Sequence, residues 1–453
     1  MDRQRIAVIG GGVAGLSAAW LLQRDYEVEL FEKNDYVGGH THTIEVPSEA
    51  GSVPVDTGFI VYNNENYPHL SALFDHLGVA SRPSEMSFSA SIDSGALEYA
   101  GTNLNTLFAQ RRNLLAPVFH SMLRDVLRFN GQAKRMLAEG AVPALTLGEF
   151  LIRQGFGNAF RDYYLLPMAA AIWSCPTSTM LAFPLESFLR FFDNHGLMNL
   201  LERPQWRTVE GGSHAYVKAM LADFAGRVWT DRTVIRAIRG ADGVTVVSRD
   251  RTGAMAQQHF DQVVFASHAD ETLAMLDGPA YWERELLGRF RYQENRAILH
   301  SDEQLMPRSR RVWASWNYLA NRGTAGAIDG VSVTYWMNQL QGLNAPQQYF
   351  VSLNPLREPN DERVIADMLY HHPVFDTGAM RAQPLLRHIQ GRNRCWFCGS
   401  YFGYGFHEDA LRSSVEVAAA LGVAAPWLVD RGAKTMPAAG RGMWRQLQAA
   451  LTT

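Results

Sequence analysis

The opening of the chain alternates between apolar runs and a glycine turn. An apolar run at 6–9 is followed by glycines, then by apolar residues at helical spacing (Leu16, Ala19 and Leu22), and then by a second apolar run at 28–31. Apolar residues three or four positions apart indicate an amphipathic helix, and short continuous apolar runs indicate buried strands. The pattern therefore predicts a strand, a glycine turn, a helix and a second strand.

Longer regions further along the chain have different patterns. Residues 117–206 have helical periodicity, and Thr146 is placed to cap a helix in "TLGEFLIRQGF". Residues 226–250 and 291–356 alternate between apolar and polar positions, which indicates antiparallel strands. We therefore expect a helical part and antiparallel sheets beside the opening strand–helix–strand unit.

Composition and charge narrow the class of protein. At 453 residues the chain exceeds one simple core, so two domains are expected. With 47% hydrophobic and 19% charged residues it is typical of a globular protein, and a net charge of −3 offers no basic face to a nucleic acid. Among the classes of partner, composition and charge leave a small molecule or a lipid as the substrate. They do not determine the oligomeric state.

The apolar stretches and the cysteines favour a cytoplasmic protein. The N-terminus has no apolar signal region, and the longest strongly apolar stretch, 165–173, is about half the length that spans a bilayer. Three cysteines, Cys175, Cys395 and Cys398, do not suit a disulfide framework. "CWFC" is typical of a strand, in which positions i and i+3 point to opposite faces, so a redox dithiol is disfavoured. Peripheral contact with the inner face of the membrane stays open.

The glycine turn has the spacing of a dinucleotide-binding loop. In the G-x-G-x-x-G pattern at 10–15 a side chain would obstruct the tight turn, the diphosphate and the helix–strand contact. The following helix offers free N–H groups to phosphates. Glu32 ends the second strand, where a carboxylate accepts hydrogen bonds from ribose hydroxyls. The residues expected to contact the dinucleotide here are Gly10, Gly12, Val13, Ala14, Gly15, Glu32 and Lys33.

The next stretch, "EKNDYVGGHTHT", resembles the E-x5-GG-R-x-x-T extension of flavoproteins in the amine oxidase and phytoene desaturase superfamily. Gly38 and Gly39 match the glycine pair and Thr43 matches the threonine, whereas His40 stands where arginine is usual. The resemblance implies FAD in an extended form, with His40 at the diphosphate and fewer hydrogen bonds than arginine would donate. A metal site is the alternative, but no acid or cysteine cluster has metal-ligand spacing.

Two further segments resemble flavin-contacting parts of the same superfamily. Residues 53–63, "VPVDTGFIVYN", resemble the segment that passes the flavin ring, with Asp56, Gly58 and Phe59 in the matching places, and Thr57, Gly58 and Phe59 are expected to contact the cofactor. A hairpin strand without a binding role is the alternative. The resemblance also places the backbone of Val234 beside the adenine.

The run "CWFCGSYFGYGFHEDALRSSVEVAAAL" resembles the terminal flavin motif of the superfamily. Its helix start is expected to present N–H groups to the flavin pyrimidine, where they stabilise negative charge on the reduced ring. Asp409 in place of a glycine and Ser400 in place of an acid mark a divergent branch. Because 384–393 contains no cysteine that could link the flavin, non-covalent FAD is expected. The matching positions are Gly399, Ser400, Gly405, Phe406 and His407.

Motifs at both ends of the chain imply a discontinuous cofactor domain. The resemblance implies an α/β fold, with a Rossmann-like FAD-binding domain of the glutathione-reductase type and an inserted α+β substrate domain. The FAD-binding domain is assigned to 1–80, 207–290 and 391–453. The substrate domain is assigned to 81–206, a helical part, and 291–390, an antiparallel sheet.

An aromatic stripe is predicted on this sheet, above the flavin. It can be core, or it can be a pocket wall, and polar neighbours such as Asn317 favour the wall. Many flavin amine oxidases carry a lysine at this place, but the chain has no lysine between 219 and 433. This absence counts against ordinary amine oxidation. The stripe comprises Trp313, Trp316, Tyr318, Tyr335 and Trp336, from two predicted strands.

The runs "GGHTHT", "WASWNY", "TYWMN" and "GYGFHEDA" resemble a bacterial branch usually described as NAD/FAD-binding or amine oxidase-like. One part of this branch is implicated in desaturating methylated acyl chains toward furan fatty acids. The resemblance favours an FAD-dependent oxidoreductase that removes hydride from a lipophilic substrate. A flavin amine oxidase, a fatty acid double-bond isomerase and a non-catalytic flavin-binding scaffold are the alternatives. Tyr335 and His407 are the candidate catalytic residues, and the electron acceptor stays open.

Overall fold

The computed structural model describes residues 3–49, 51–173, 177–194, 196–199, 204–322 and 328–429. Cys175, and residues 430–453 of the predicted FAD-binding domain, lie outside the described residues. Within the described ranges, no helix is both long and apolar enough to cross a membrane. The division of the chain into two domains stays a prediction.

A five-stranded parallel sheet brings together distant stretches of the chain. The opening strand, Arg5–Ile9, lies at its centre, and its neighbours on both sides run parallel to it. The predicted apolar runs form strands buried on both faces, as parallel sheets require. This confirms the predicted Rossmann-like α/β class. The strand order is Arg227–Trp229, Glu27–Phe31, Arg5–Ile9, Gln262–Phe265 and Cys395–Phe397.

Different structures cover the two faces of the parallel sheet. Helices Val13–Leu22 and His407–Ala420 pack on one face, in a cluster that contains Cys398. The other face carries Cys395 and packs on a three-stranded antiparallel sheet. Both cysteines are free and buried, and they belong to the apolar clusters on opposite faces of the sheet. The antiparallel strands are Arg232–Arg239, Val244–Asp250 and Met255–Phe260.

The helical part surrounds a core rich in phenylalanine and leucine. Thr146 caps the second helix, because its side chain accepts the Glu149 N–H while the Glu149 side chain accepts the Thr146 N–H. One turn is a π-helix, a conformation that is rare and frequent at functional sites. The segments are Pro117–Glu139, Leu147–Arg153, Asn158–Phe160, the π-helical Arg161–Leu165, Leu166–Trp173, Thr177–Leu181 and Leu185–Asn194.

The second large sheet has seven strands and contains most of the predicted antiparallel strands. Two of its strands come from before the helical part, and Phe88–Ile92 pairs in parallel with Trp316–Arg322. All other pairs in the sheet are antiparallel. Its order is Val364–Val374, Arg291–His300, Phe350–Leu353, Ile328–Trp336, Trp316–Arg322, Phe88–Ile92 and Leu97–Ala100.

The expectation that Trp313 lies on a strand of this sheet was wrong. Residues Arg310–Val312 form a 3-10 turn, and the strand begins only at Trp316. The Trp313 Nε1 donates to the Pro307 carbonyl at 2.8 Å, which fixes the indole outside the strand ladder. The local sequence alternates as a strand would, but the 3-10 turn and this hydrogen bond across six residues hold another conformation.

The remaining elements connect these layers. A hairpin of Thr43–Ser48 and Gly51–Asp56 follows the glycine pair, and Tyr62–Asn63, Trp206–Val209 and Ser81–Pro83 form a small antiparallel sheet. The other α-helices are Pro68–Leu77, Leu104–Leu107, His214–Asp223, Ala269–Met275, Tyr281–Leu287, Met337–Leu340, Thr377–Ala382 and Pro426–Val429. Short 3-10 turns lie at Arg111–Leu115, Glu303–Leu305, Asp361–Arg363, Gln383–Ile389, Arg392–Arg394 and Ser400–Phe402.

Candidate functional site

The two glycine segments that the sequence assigns to a diphosphate lie against each other. The Gly38 N–H donates to the Gly11 carbonyl at 2.8 Å. A Cβ on Gly39 would lie 3.0 Å from the Gly12 Cα, and Gly39 has a φ of +58°, which favours glycine. The two backbones lie so close together that there is no room for a side chain between the two segments.

Glu32 is buried directly after the second strand. Its Oε2 accepts the Gly11 N–H at 2.6 Å and its Oε1 accepts the Asn34 N–H at 2.8 Å, which leaves each oxygen another lone pair for a ribose hydroxyl. Burial raises the pKa of Glu32, and the N–H donors oppose this shift. The next residue, Lys33, forms an ion pair with Glu271 at 2.6 Å.

His40 lies among aromatic rings beside the glycine pair. Its ring stacks on Tyr370 at 5.0 Å and lies 5.2 Å from the His372 ring. Burial, and then neighbouring imidazoles, hold the pKa of His40 well below its usual range, so the ring is neutral. Its Nε2 is buried without a hydrogen-bond partner in the described part of the chain. A phosphate oxygen would satisfy this nitrogen.

The electrostatic surroundings of His40 are set by four other histidines, His268, His371, His372 and His407. Burial lowers the pKa of His372 to about 4 and that of His407 to about 3. Neutral imidazoles donate one N–H each and bring no net charge. In the residues that the structure describes, no group of three or more His, Cys, Asp or Glu side chains is arranged to hold a metal ion.

The segment predicted to pass the flavin ring lies between His40 and the terminal motif. The Phe59 N–H donates to the His40 carbonyl at 2.8 Å, and the Phe59 ring stacks on His407 at 3.9 Å. His407 Nε2 forms a hydrogen bond with Thr41 Oγ1 at 2.9 Å. A Cβ on Gly58 would lie 2.2 Å from the His40 carbonyl oxygen. Three motifs that are remote in sequence therefore meet in one place.

Tyr370 completes this arrangement, and the sequence analysis missed it. Its hydroxyl forms a hydrogen bond with Thr57 Oγ1 at 2.7 Å, while its ring contacts His40. Tyr370 and His372 are two residues apart on one strand, so both side chains project from the same face. The alternation in "LYHHPVF" is the signal that could have revealed this pair.

The terminal motif begins in a tight turn after the last strand of the parallel sheet. Gly399 and Gly405 have φ of +153° and +93°, and a Cβ on Gly399 would lie 2.7 Å from the Tyr401 ring. The Ser400 carbonyl accepts the Gly405 N–H at 3.2 Å. This turn sets where the helix His407–Ala420 begins.

Asp409 explains one departure from the motif that the terminal run resembles. Its Oδ2 accepts the N–H groups of Tyr404 and Phe406 at 2.8 and 3.1 Å. The carboxylate thus caps its own helix and closes the preceding turn. Glu408 accepts the N–H groups of His69 and Leu70 at 2.9 and 3.0 Å, which attaches the motif to the helix Pro68–Leu77.

Tyr335 and Val234 lie on other sheets. Tyr335 packs edge-on against Trp316 at a ring distance of 4.9 Å, in the same apolar cluster as Tyr370, and burial raises its pKa. Val234 is buried on a strand whose first residue, Arg232, donates its N–H to the Glu32 carbonyl at 2.9 Å. The strand that carries Val234 therefore begins beside Glu32, and Tyr335 lies in the seven-stranded sheet, in the cluster of Tyr370.

These residues fit FAD. A Cβ on Gly12 would meet no atom within 4 Å, so the space before the helix Val13–Leu22 is open. This open helix N-terminus, the unpartnered His40 Nε2 and the Glu32 carboxylate are the donors and acceptor that a diphosphate and a ribose require.

Comparisons with known proteins also indicate a flavoprotein. The sequence profile of the family described as "Flavin containing amine oxidoreductase" matches residues 13–323. A solved fatty acid isomerase from P. acnes that produces CLA is 15% identical, with a TM-score of 0.65 over 93% of this chain and 99% of that one. Cyclohexylamine oxidase from Brevibacterium oxydans is 14% identical, with the same TM-score and the same coverage. These likenesses show the fold.

A curated relative matches over a short stretch only. The 1-hydroxycarotenoid 3,4-desaturase from Flavobacterium sp. is 50% identical over 44 residues, which is 10% of this chain and 9% of that relative. The chain therefore matches less than a tenth of the length of this relative.

Gly12 and Gly15 provide a matched test of the loop. Gly15→Ala should destabilise the fold by about 1–3 kcal/mol, because its Cβ would lie 1.8 Å from the Gly10 carbonyl oxygen. Gly12→Ala should fold normally and lose FAD, because its Cβ enters only the open space. Urea unfolding and flavin absorbance measure the two effects. Equal FAD content in Gly12→Ala and the wild type would contradict this placement.

His40→Ala should weaken FAD retention by roughly 1.5–3 kcal/mol, because it removes a hydrogen bond to a charged group. Titration of the FAD-free protein with FAD measures the change in Kd. The control is His40→Gln, which keeps an N–H donor and should retain more affinity than His40→Ala. Stoichiometric zinc or iron in elemental analysis would contradict the phosphate role.

The buried histidines should stabilise the FAD-free protein less as pH falls. With folded pKa values of about 4 for His372 and about 3 for His407, the unfolded chain binds more protons below its own value of 6.5. The contribution of these two histidines to the free energy of unfolding should therefore decrease as pH falls from 6.5 toward 4, whereas the raised pKa of the buried Asp56 carboxyl contributes in the opposite direction. Urea unfolding across this range measures the slope. His372→Gln should reduce the slope, whereas a change at the exposed His388 (His388→Gln) should not; equal slopes in the two variants would count against this origin.

Proposed function

The chain belongs to the flavin-containing amine oxidoreductase family, and we propose that this FAD-dependent oxidoreductase removes hydride from a C–H bond of a long apolar chain. Desaturation of a methylated fatty acyl chain is the form of this reaction that we favour. The main observation behind this proposal is that apolar side chains surround the terminal motif. Phe406, which precedes the motif helix, stacks on Phe191 of the helical part at 5.0 Å and 17°.

The helical part brings an apolar core to the terminal motif. Phe191 also contacts Tyr404 edge-on at 6.2 Å, and the cluster around it consists of phenylalanine, leucine, methionine and other apolar residues. An acyl chain gains about 0.8 kcal/mol for each methylene that it buries, so it needs no charged anchor. This supports a lipophilic substrate.

The aromatic residues of the seven-stranded sheet support the same proposal. Trp316 and Tyr335 meet edge to face on neighbouring strands, and Tyr318 is fully buried beside them. A charged amine would lose its hydration on entering this wall, whereas an acyl chain would gain apolar contacts there. The sequence also has no lysine between 219 and 433, the region in which many flavin amine oxidases carry a lysine above the flavin.

FAD supplies a two-electron acceptor when it is bound, and the residues around it control protons and water. His407 is neutral because burial lowers its pKa to about 3, so its ring can accept a proton or donate one N–H. Burial raises the pKa of Tyr335, which keeps its hydroxyl protonated and makes it a donor rather than a base. The aromatic and aliphatic walls exclude water.

Non-covalent FAD is part of the proposal. The free cysteines in the described residues, Cys395 and Cys398, are both buried. Burial raises the pKa of Cys395 to about 12 and also raises that of Cys398, so neither thiol is an activated nucleophile.

Two other reactions have specific support. The family description and the fold of cyclohexylamine oxidase favour amine oxidation, whereas the fold of the fatty acid isomerase favours double-bond migration without net oxidation. Both therefore belong among the outcomes of the experiment below.

Anaerobic mixing with methylated or unsaturated acyl lipids should bleach the oxidised flavin band, and mono- and polyamines should not. The reason is that only an apolar chain gains free energy in surroundings without a charged partner. Stopped-flow absorbance measures the bleaching, and dithionite shows as a control that the flavin is reducible. Bleaching by an amine alone would establish amine oxidation, and a rearranged lipid with no acceptor consumed would establish isomerisation.

A further inference from the structure

One surface segment exposes several large apolar side chains, three of them within five consecutive positions (114–118). Between residues 104 and 118, four aliphatic side chains point into solvent, at 74%, 48%, 88% and 57% of their full accessible area. Single exposed leucines are normal, but a contiguous group marks an interaction surface. We refer to residues 104–118 as the exposed segment; the four side chains are Leu104, Leu114, Leu115 and Val118.

The exposed segment is held in place by its inward-facing residues. Phe108 packs edge-on against Phe119 at 5.6 Å, and Asn113 is buried. His120 Nε2 forms a hydrogen bond with the Leu114 carbonyl at 2.8 Å. Because these anchors fix the backbone, the leucines on the other side cannot fold back into the core.

The charge around these leucines is positive. Residues 99–124 contain Arg111, Arg112 and Arg124 and no acidic residue, although the whole chain has a net charge of −3. Arg111 donates to the Phe108 carbonyl and to Asn105 Oδ1, and Arg112 donates to the Ala96 carbonyl. These neutral acceptors leave both charges uncompensated. Arginines beside exposed leucines are complementary to an anionic lipid surface.

A cleft opens next to the exposed segment. It has a volume of about 430 Å³ and is lined by Val118 and Ser121 on one side and by residues 157–159, Asp162 and Tyr163 on the other. The second side includes part of the π-helical turn Arg161–Leu165. Tyr163 packs against the apolar cluster that contains Tyr335. The cleft thus lies between the exposed leucines and the substrate side.

We propose that the exposed segment docks on an anionic lipid bilayer, with its leucines in the acyl boundary and its arginines at the headgroups. A lipid substrate then leaves the bilayer through the adjacent cleft, a step that rests on the function proposed above. A second copy of this chain fits less well, because a two-fold interface would bring the arginines of both copies into one buried surface, and residues 99–124 contain no acidic residue to pair with them.

Vesicle flotation of the FAD-loaded protein tests the docking without any turnover, so its result does not depend on the substrate. The protein should float with vesicles of phosphatidylcholine and phosphatidylglycerol, and much less with phosphatidylcholine alone. The double variants Leu114→Ser/Leu115→Ser and Arg111→Glu/Arg112→Glu should each lower the partition coefficient at least about tenfold. High salt should weaken the wild type and the leucine variant.

The matched control is Met255→Ser/Arg251→Glu, an exposed apolar–basic pair on a hairpin of the three-stranded sheet. It should float like the wild type, and thermal melts should show that all variants are folded. Equal flotation of all variants, or no preference for the anionic vesicles, would overturn the proposal. So would a leucine variant that turns a dimer into a monomer in size-exclusion chromatography with no change in flotation.

Discussion

The buried carboxylate of Asp56 joins three distant parts of the chain, and the geometry of the site depends on it. Asp56 is fully buried and accepts hydrogen bonds from the Thr43 hydroxyl, the N–H and hydroxyl of Ser213, and Gln341 Nε2. Burial raises its pKa to about 7, while these donors oppose the shift. Loss of one hydrogen-bond donor to such a buried carboxyl group typically costs about 1.5–3 kcal/mol.

Each segment that Asp56 holds leads directly to a part of the site. Thr43 follows the glycine–histidine stretch, and residues 57–59 follow Asp56 itself. Ser213 begins the helix that returns to the parallel sheet, and Gln341 follows the strand that carries Tyr335. The carboxylate therefore sets the position of the cofactor-binding backbone relative to the substrate side.

The site relies on packing and neutral hydrogen-bond donors more than on charge. An arginine at position 40 would place a cation among histidines and tyrosines, whereas the neutral imidazole of His40 stacks on Tyr370 without that cost. At the terminal motif, Asp409 binds backbone N–H groups of its own turn. The departures at His40 and Asp409 are thus accommodated locally, and the fold is retained.

The sequence by itself determined the opening strand–helix–strand unit and the glycine loop, because these depend on local steric rules and on short apolar periods, and the family followed from the resemblance of its motifs. A side chain at Gly15 is excluded by its own loop, whatever the rest of the chain does. Only the tertiary structure decided that Tyr370 and His372 surround His40, because that contact joins positions more than 300 residues apart. Such contacts depend on how the sheets pack, and no local pattern encodes that packing.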